Sequence, residues 1–99
     1  MAETLVGDCV VHVRQFKRLP ASARSLLKET IRKRLGEQDP RTEDRNRFRL
    51  RRVSPYAGFE LRVESWRVFY RVQEDLVIVE LIGRKKGNAL LIGGKEFGL

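Results

Sequence analysis

The chain has 99 residues, enough for one domain spanning 1–99 with a modest core and too few for two. Its 21 Lys+Arg against 13 Asp+Glu give a formal net charge of +8, an excess that points to a polyanionic partner such as RNA, DNA or an acidic protein. One cysteine, Cys9, and one histidine, His12, exclude an internal disulfide and a Cys-rich zinc site, fit a reducing compartment, and leave no expectation of a metal or other cofactor.

In chain order, the N-terminal MAETLVGDCVVHV has no basic segment ahead of its apolar residues, and no apolar run approaches bilayer length. The expectation is a cytoplasmic protein with no membrane partner. Residues 10–13, VVHV, favour a strand. Val10, Val13 and Phe16 also fit a helix behind Asp8 as N-cap. The segment reads either as one strand over 8–16 or as a short strand followed by a helix, with His12 and Cys9 as packing residues. After Pro20, the apolar Ala23, Leu27, Ile31 and Leu35 recur every four residues and predict a helix. Ser22 is its candidate N-cap and Gly36 its left-handed C-cap. Arg24, Lys28 and Arg32 form a solvated basic face, and Glu29 and Lys33 a favourable i,i+4 pair.

GEQDPRTEDRNR, residues 36–47, reads as a loop. In RFRLRRV, Arg47, Arg49 and Arg51 alternate with Phe48 and Leu50, as in an edge strand or extended arm. SPYAG breaks the chain, and a meander follows with strands at 59–63, 66–72, 77–84 and near 90–92.

Strand side chains alternate between faces, so the register that gathers apolar residues fixes the rest. Pairing Val63 with Trp66, Leu61 with Val68 and Phe59 with Tyr70, then Val72 with Val77, Tyr70 with Val79 and Val68 with Leu81, builds one apolar face against the helix. The other face then sets Arg62 opposite Arg67, with Arg84 diagonal to Arg67 and Lys85 and Lys86 following at the strand end. Phe69 lies between Glu60 and Glu80 on that face. Like charges directly opposite weaken a sheet by up to about 1 kcal/mol, a conflict with stability typical of functional sites. Phosphate is the natural counter-charge. Phe69 is then the candidate for stacking a base and Glu60 the candidate proton acceptor. Against this stands a plainer arrangement, in which Glu60, Glu64 and Glu80 neutralise the arginines in weak surface pairs.

ELRVESWRVFYRV followed by VIVELIGRKKGN resembles the RelE/ParE superfamily of type II toxin-antitoxin toxins. The likeness covers roughly residues 19–97 and includes LP ahead of the helix, the arginine-rich strand and the IGGKEF tail. It implies an α+β fold with an N-terminal helix or helical hairpin packed on a twisted antiparallel β-sheet. It also implies an acidic antitoxin as partner and, in the RelE-like branch, ribosome-dependent mRNA cleavage in which the ribose 2′-hydroxyl attacks its adjacent phosphodiester. Arg67 matches the hairpin arginine that contacts the scissile phosphate, and Arg62 a catalytic or phosphate-binding basic position. Arg84, Lys85 and Lys86 cover the basic end of the next strand, with Arg49 and Arg51 on the RNA approach. Glu60 stands where some members have lysine, and is either the base or the mark of that role's loss. RelE-like nucleases commonly carry a Tyr or His near the C-terminus, whereas GNALLIGGKEFGL has neither. Tyr56 is a conceivable substitute, and the alternatives are a ParE-like inhibitor of DNA gyrase or an inactive relative that only binds.

Overall fold

Among the described residues, four tight reversals join neighbouring strands. The first loop residue of each has a positive φ: Gly7 at 60°, Glu64 at 55°, Glu74 at 56° and Gly87 at 59°. Glycine takes this conformation freely, and the two glutamates are held in it at a cost. In the computed structural model, which describes residues 4–7, 9–11, 16–50, 58–92 and 95–96, these reversals join β1 (Thr4–Val6) to β2 (Cys9–Val11), β4 (Phe59–Val63) to β5 (Trp66–Gln73), β5 to β6 (Leu76–Lys86), and β6 to β7 (Ala89–Ile92). β3 (Arg47–Arg49) forms one edge, and β8 (Lys95–Glu96) pairs with β7.

The sheet runs β1-β2-β6-β5-β4-β3, with β7 and β8 attached to β6. β6 is its spine, because β2 pairs with its first half and β7 with its last three residues. The β2–β6 pairing is parallel, so the sheet is mixed, which corrects the expected all-antiparallel arrangement. A two-valine run has the composition of a buried strand but says nothing about its partner's direction. Of the two N-terminal alternatives, the structure has a short strand, Cys9–Val11, and then a 3₁₀ turn at Phe16–Arg18; Asp8 and His12 lie outside the described residues.

Among the described residues one α-helix, α1 (Ala21–Ile31), packs on the sheet through Ala23, Leu27 and Ile31. Its first bond runs from the Arg24 amide to the Pro20 carbonyl at 2.9 Å. Pro20 is therefore the N-cap and Ser22 falls inside the first turn, contrary to the sequence expectation. At the other end the helix widens into a π turn, Arg32–Gly36, closed by the Glu37 amide on the Arg32 carbonyl at 3.1 Å. Gly36 ends this π turn and is not a left-handed cap. Leu35 continues the buried stripe, which meets Val11, Phe16, Phe59, Leu61, Val63, Val68, Tyr70, Val77, Val79 and Ile82 in one core. The Phe59 and Tyr70 rings stack at 5.3 Å between centroids. No helix among the described residues is long and apolar enough to cross a membrane.

Candidate nucleic-acid interface

The β4–β5 hairpin has the register that its alternation predicts: Phe59 opposite Tyr70, Leu61 opposite Val68, Val63 opposite Trp66, and Arg62 opposite Arg67. The outer part of β5–β6 also agrees, with Tyr70 opposite Val79 and Val72 opposite Val77. Between Phe69 and Tyr70 the register then slips by one residue. Tyr70 faces Val79 and Phe69 faces Leu81, so Glu80 is the extra residue of a β-bulge.

The bulge redistributes the cations. Val68 pairs with Ile82 rather than Leu81, Arg67 faces Gly83, and Arg84 faces Trp66. Arg84 thus leaves the Arg62–Arg67 face, where the sequence reading had put it, and its guanidinium lies 5.4 Å from the Trp66 ring centroid. There it lines a depression on the helix side with Pro20, Ala23, Leu26 and Glu64. Lys86 alternates with Lys85 and so shares the parity of Arg84. Lys85 moves the opposite way and joins Arg62 and Arg67. Leu81 and Ile82 are both apolar, so the pattern alone does not say which one faces the core. Gly83 was the available signal, since a glycine inside a strand marks a bulge or a close approach. A Cβ there would sit 2.9 Å from Leu90 Cδ1 and 3.0 Å from Ile92 Cγ1.

The resulting site is a shallow depression of about 220 Å³ lined by Glu60, Arg62, Arg67, Phe69, Lys85 and Leu90. Glu60 Oε2 lies 3.1 Å from Arg62 Nε and 3.8 Å from Arg67 Nε. One carboxylate thus serves two guanidiniums, with the Lys85 ammonium as a third cation. Arg67 Nη1 donates to the Glu64 and Trp66 carbonyls at 2.7 and 2.9 Å, which fixes its head over the hairpin turn. Burial first, then the nearby Arg62 charge, pull the Arg67 guanidinium below its ordinary pKa, while Glu60 opposes them. It stays protonated at neutral pH all the same. Arg62 extends outward, with its guanidinium 4.9 Å from the Phe48 ring centroid.

The plainer arrangement, a neutralised lattice, accounts for only part of this surface. Glu80 pairs with Arg71 at 2.8 Å and Glu60 with Arg62. Among the described residues no ion pair brings the Glu64 carboxylate to either arginine, and Glu64 meets Arg67 through its backbone carbonyl. The cations of the π turn are better matched: Arg32 pairs with Glu29 and Glu37, and Lys33 with Glu29 at 3.5 Å.

Phe69 is 1% exposed. It forms the floor of the depression and has no open face for a base, which corrects its expected stacking role. Arg49 faces Phe59 across β3–β4, with its guanidinium 4.8 Å from that ring, so it sits at the core-side rim rather than beside Arg67. Arg51 and Tyr56 lie outside the described residues. Tyr70 is fully buried and its hydroxyl donates to the Pro40 carbonyl at 2.7 Å. Burial raises its pKa far above the ordinary phenol value, so it holds the 37–46 loop on the core and takes no part in the depression.

The sequence reading missed Arg47. It faces Leu61, on the core side, and is 2% exposed. Its Nε donates to the Thr42 carbonyl at 2.7 Å, its Nη1 to the Arg34 carbonyl, and its Nη2 lies 3.9 Å from Asp44. Arg34 lies in the last turn of the helical segment, where carbonyls lack partners within the helix. Phe48, the apolar neighbour, turns to the Glu60 side of the sheet. The alternation of this strand is legible in the sequence, but which face is buried is not, because an arginine is rarely buried unless it is paired.

Comparison with family models, curated proteins and solved structures gives no match to this chain.

Proposed function

We propose that the protein is a RelE-like toxin of a type II toxin-antitoxin module, a ribosome-dependent mRNA endoribonuclease held in check by an acidic antitoxin. The observation that carries the reading is the opposed Arg62–Arg67 pair on an open face, with Glu60 and Lys85 beside it. Arg67 and Arg62 bind the scissile phosphate and stabilise the charge that builds on it during attack. Glu60 accepts the proton of the ribose 2′-hydroxyl as its oxygen bonds to phosphorus. The bond to the leaving 5′-oxygen breaks, and Lys85 donates the proton that oxygen takes up. Arg84, over Trp66 on the other face, has no part in this step. The +8 net charge supports both an RNA substrate and an acidic protein partner. Association with that partner slows as salt is added.

The confinement of Tyr70 to the core favours a second reading, inhibition of DNA gyrase or another target by binding alone. Mapping new mRNA 5′ ends in a reconstituted translation reaction, beside the same mRNA without ribosomes, separates the two. Cuts at the acceptor-site codon only when ribosomes are present are the expected result. No cuts by folded, antitoxin-free protein would overturn the nuclease reading.

A further inference from the structure

Beside the phosphate depression lies a second, larger one of about 410 Å³, lined by Glu43, Phe48, Arg49, Leu50 and Arg62. Arg62 lines both. Phe48 faces Glu60, and Glu60 faces Phe69, so Phe48 stands two strands from the floor of the first depression on the same side of the sheet, about 10 Å away at ordinary strand spacing. Among the described aromatic residues, Phe16, Phe59, Phe69 and Tyr70 are buried and Trp66 carries Arg84 on the opposite side. Among the described aromatic residues on this side, Phe48 is half-buried where Phe69 is buried.

We infer that Phe48, with the Arg62 guanidinium over one face of its ring, forms with it a stacking platform for one unpaired RNA base, whose neighbouring phosphate sits on Arg62 and Arg67. This deepens the nuclease reading and rests on it for the identity of the strand. An aromatic ring next to a guanidinium plane offers the two surfaces on which unstacked bases settle, while the groove cations hold the backbone. The Glu43 carboxylate, whose Oε1 accepts the Arg49 amide at 2.9 Å, adds an acceptor at the rim. Such an acceptor suits a base that carries an exocyclic amino group. A carboxylate and an apolar ring are poor company for a phosphate, so the base and not the backbone belongs in this second depression.

The test is fluorescence anisotropy with a short labelled oligoadenylate RNA and the same ribose-phosphate chain with its bases removed. Wild-type protein should prefer the base-bearing strand by about 5- to 150-fold, the usual worth of one stacked base. Phe48→Ala and Phe48→Leu should both lose that preference while keeping the affinity for the abasic chain, and Phe48→Trp should retain it. The leucine variant keeps apolar bulk under Arg62, so its loss would not reflect misfolding. Arg67→Ala should weaken both strands alike. Equal wild-type affinity for the two strands, binding of neither, or undiminished preference in Phe48→Leu would overturn the platform. Preference for bases without mRNA cleavage would overturn the nuclease reading and leave the platform standing.

Discussion

Arg47 and Arg67 sit on adjoining parts of one sheet and show two ways of keeping a guanidinium. Arg47 is 2% exposed and spends its donors on the Thr42 and Arg34 carbonyls, with Asp44 close by. Its charge is enclosed by the molecule's own oxygens and is out of reach of a ligand. Arg67 is oriented by two hairpin carbonyls but faces another arginine, shares a single carboxylate with it, and opens onto a depression with Lys85. A buried cation must be matched internally, whereas a mismatched one at the surface is open to an external anion. The placement of the charges, rather than their number, separates architecture from function here.

The contrast breaks most visibly at the open pair. On the proposed nuclease reading, Arg67→Ala should lower cleavage of ribosome-bound mRNA about 100- to 1,000-fold, the usual cost of one donor to transition-state charge. Its urea midpoint should give a stability within about 1 kcal/mol of wild type, because two lost hydrogen bonds and a relieved repulsion oppose each other. Arg47→Ala should do the reverse. It leaves the Thr42 and Arg34 carbonyls unpaired beside a cavity and costs about 2–4 kcal/mol in urea unfolding. Tyr70→Phe removes only the bond to Pro40 and should cost about 1–2 kcal/mol by the same measurement.

Acid should loosen the Arg47 corner as well. The Asn46 amide chiefly, and then Arg34, hold Asp44 below its ordinary pKa against the effect of burial. A group whose folded pKa is depressed contributes stability above its unfolded value and loses it as pH falls through the folded one. Melting should therefore shift downward below about pH 4, the ordinary aspartate range, and Asp44→Asn should flatten that part of the profile. The smallest effect belongs to the turns. Glu74→Gly relieves a left-handed glutamate at some cost in chain entropy and should raise stability by a few tenths of a kcal/mol, measurable as a small rise in thermal midpoint.

How much of this was legible in the sequence follows from the physics of each region. The β4–β5 register was readable because Phe59, Leu61, Val63, Val68 and Tyr70 alternate without ambiguity, and it placed Arg62 opposite Arg67 correctly. Past Glu80 the reading failed. Leu81 and Ile82 fit the core equally well, and a one-residue bulge exchanges Arg84 for Lys85 beside Arg67. The edge strand failed in a different way. The oxygens that stabilise Arg47 come from the π turn and from the loop just ahead of the strand, and strand periodicity encodes neither. With the buried face of this strand undetermined by its pattern, the outward side of Phe48 was not legible either.

If phosphate is the counter-charge of the opposed Arg62 and Arg67, thermal unfolding in chloride and in inorganic phosphate at matched ionic strength shows it most directly. A ligand bound by the native state alone raises the midpoint. The wild type should therefore melt higher in phosphate, and Arg67→Ala should gain little or nothing. An equal response from the two proteins would contradict the account and leave the Arg62–Arg67 pair as an unrelieved surface repulsion.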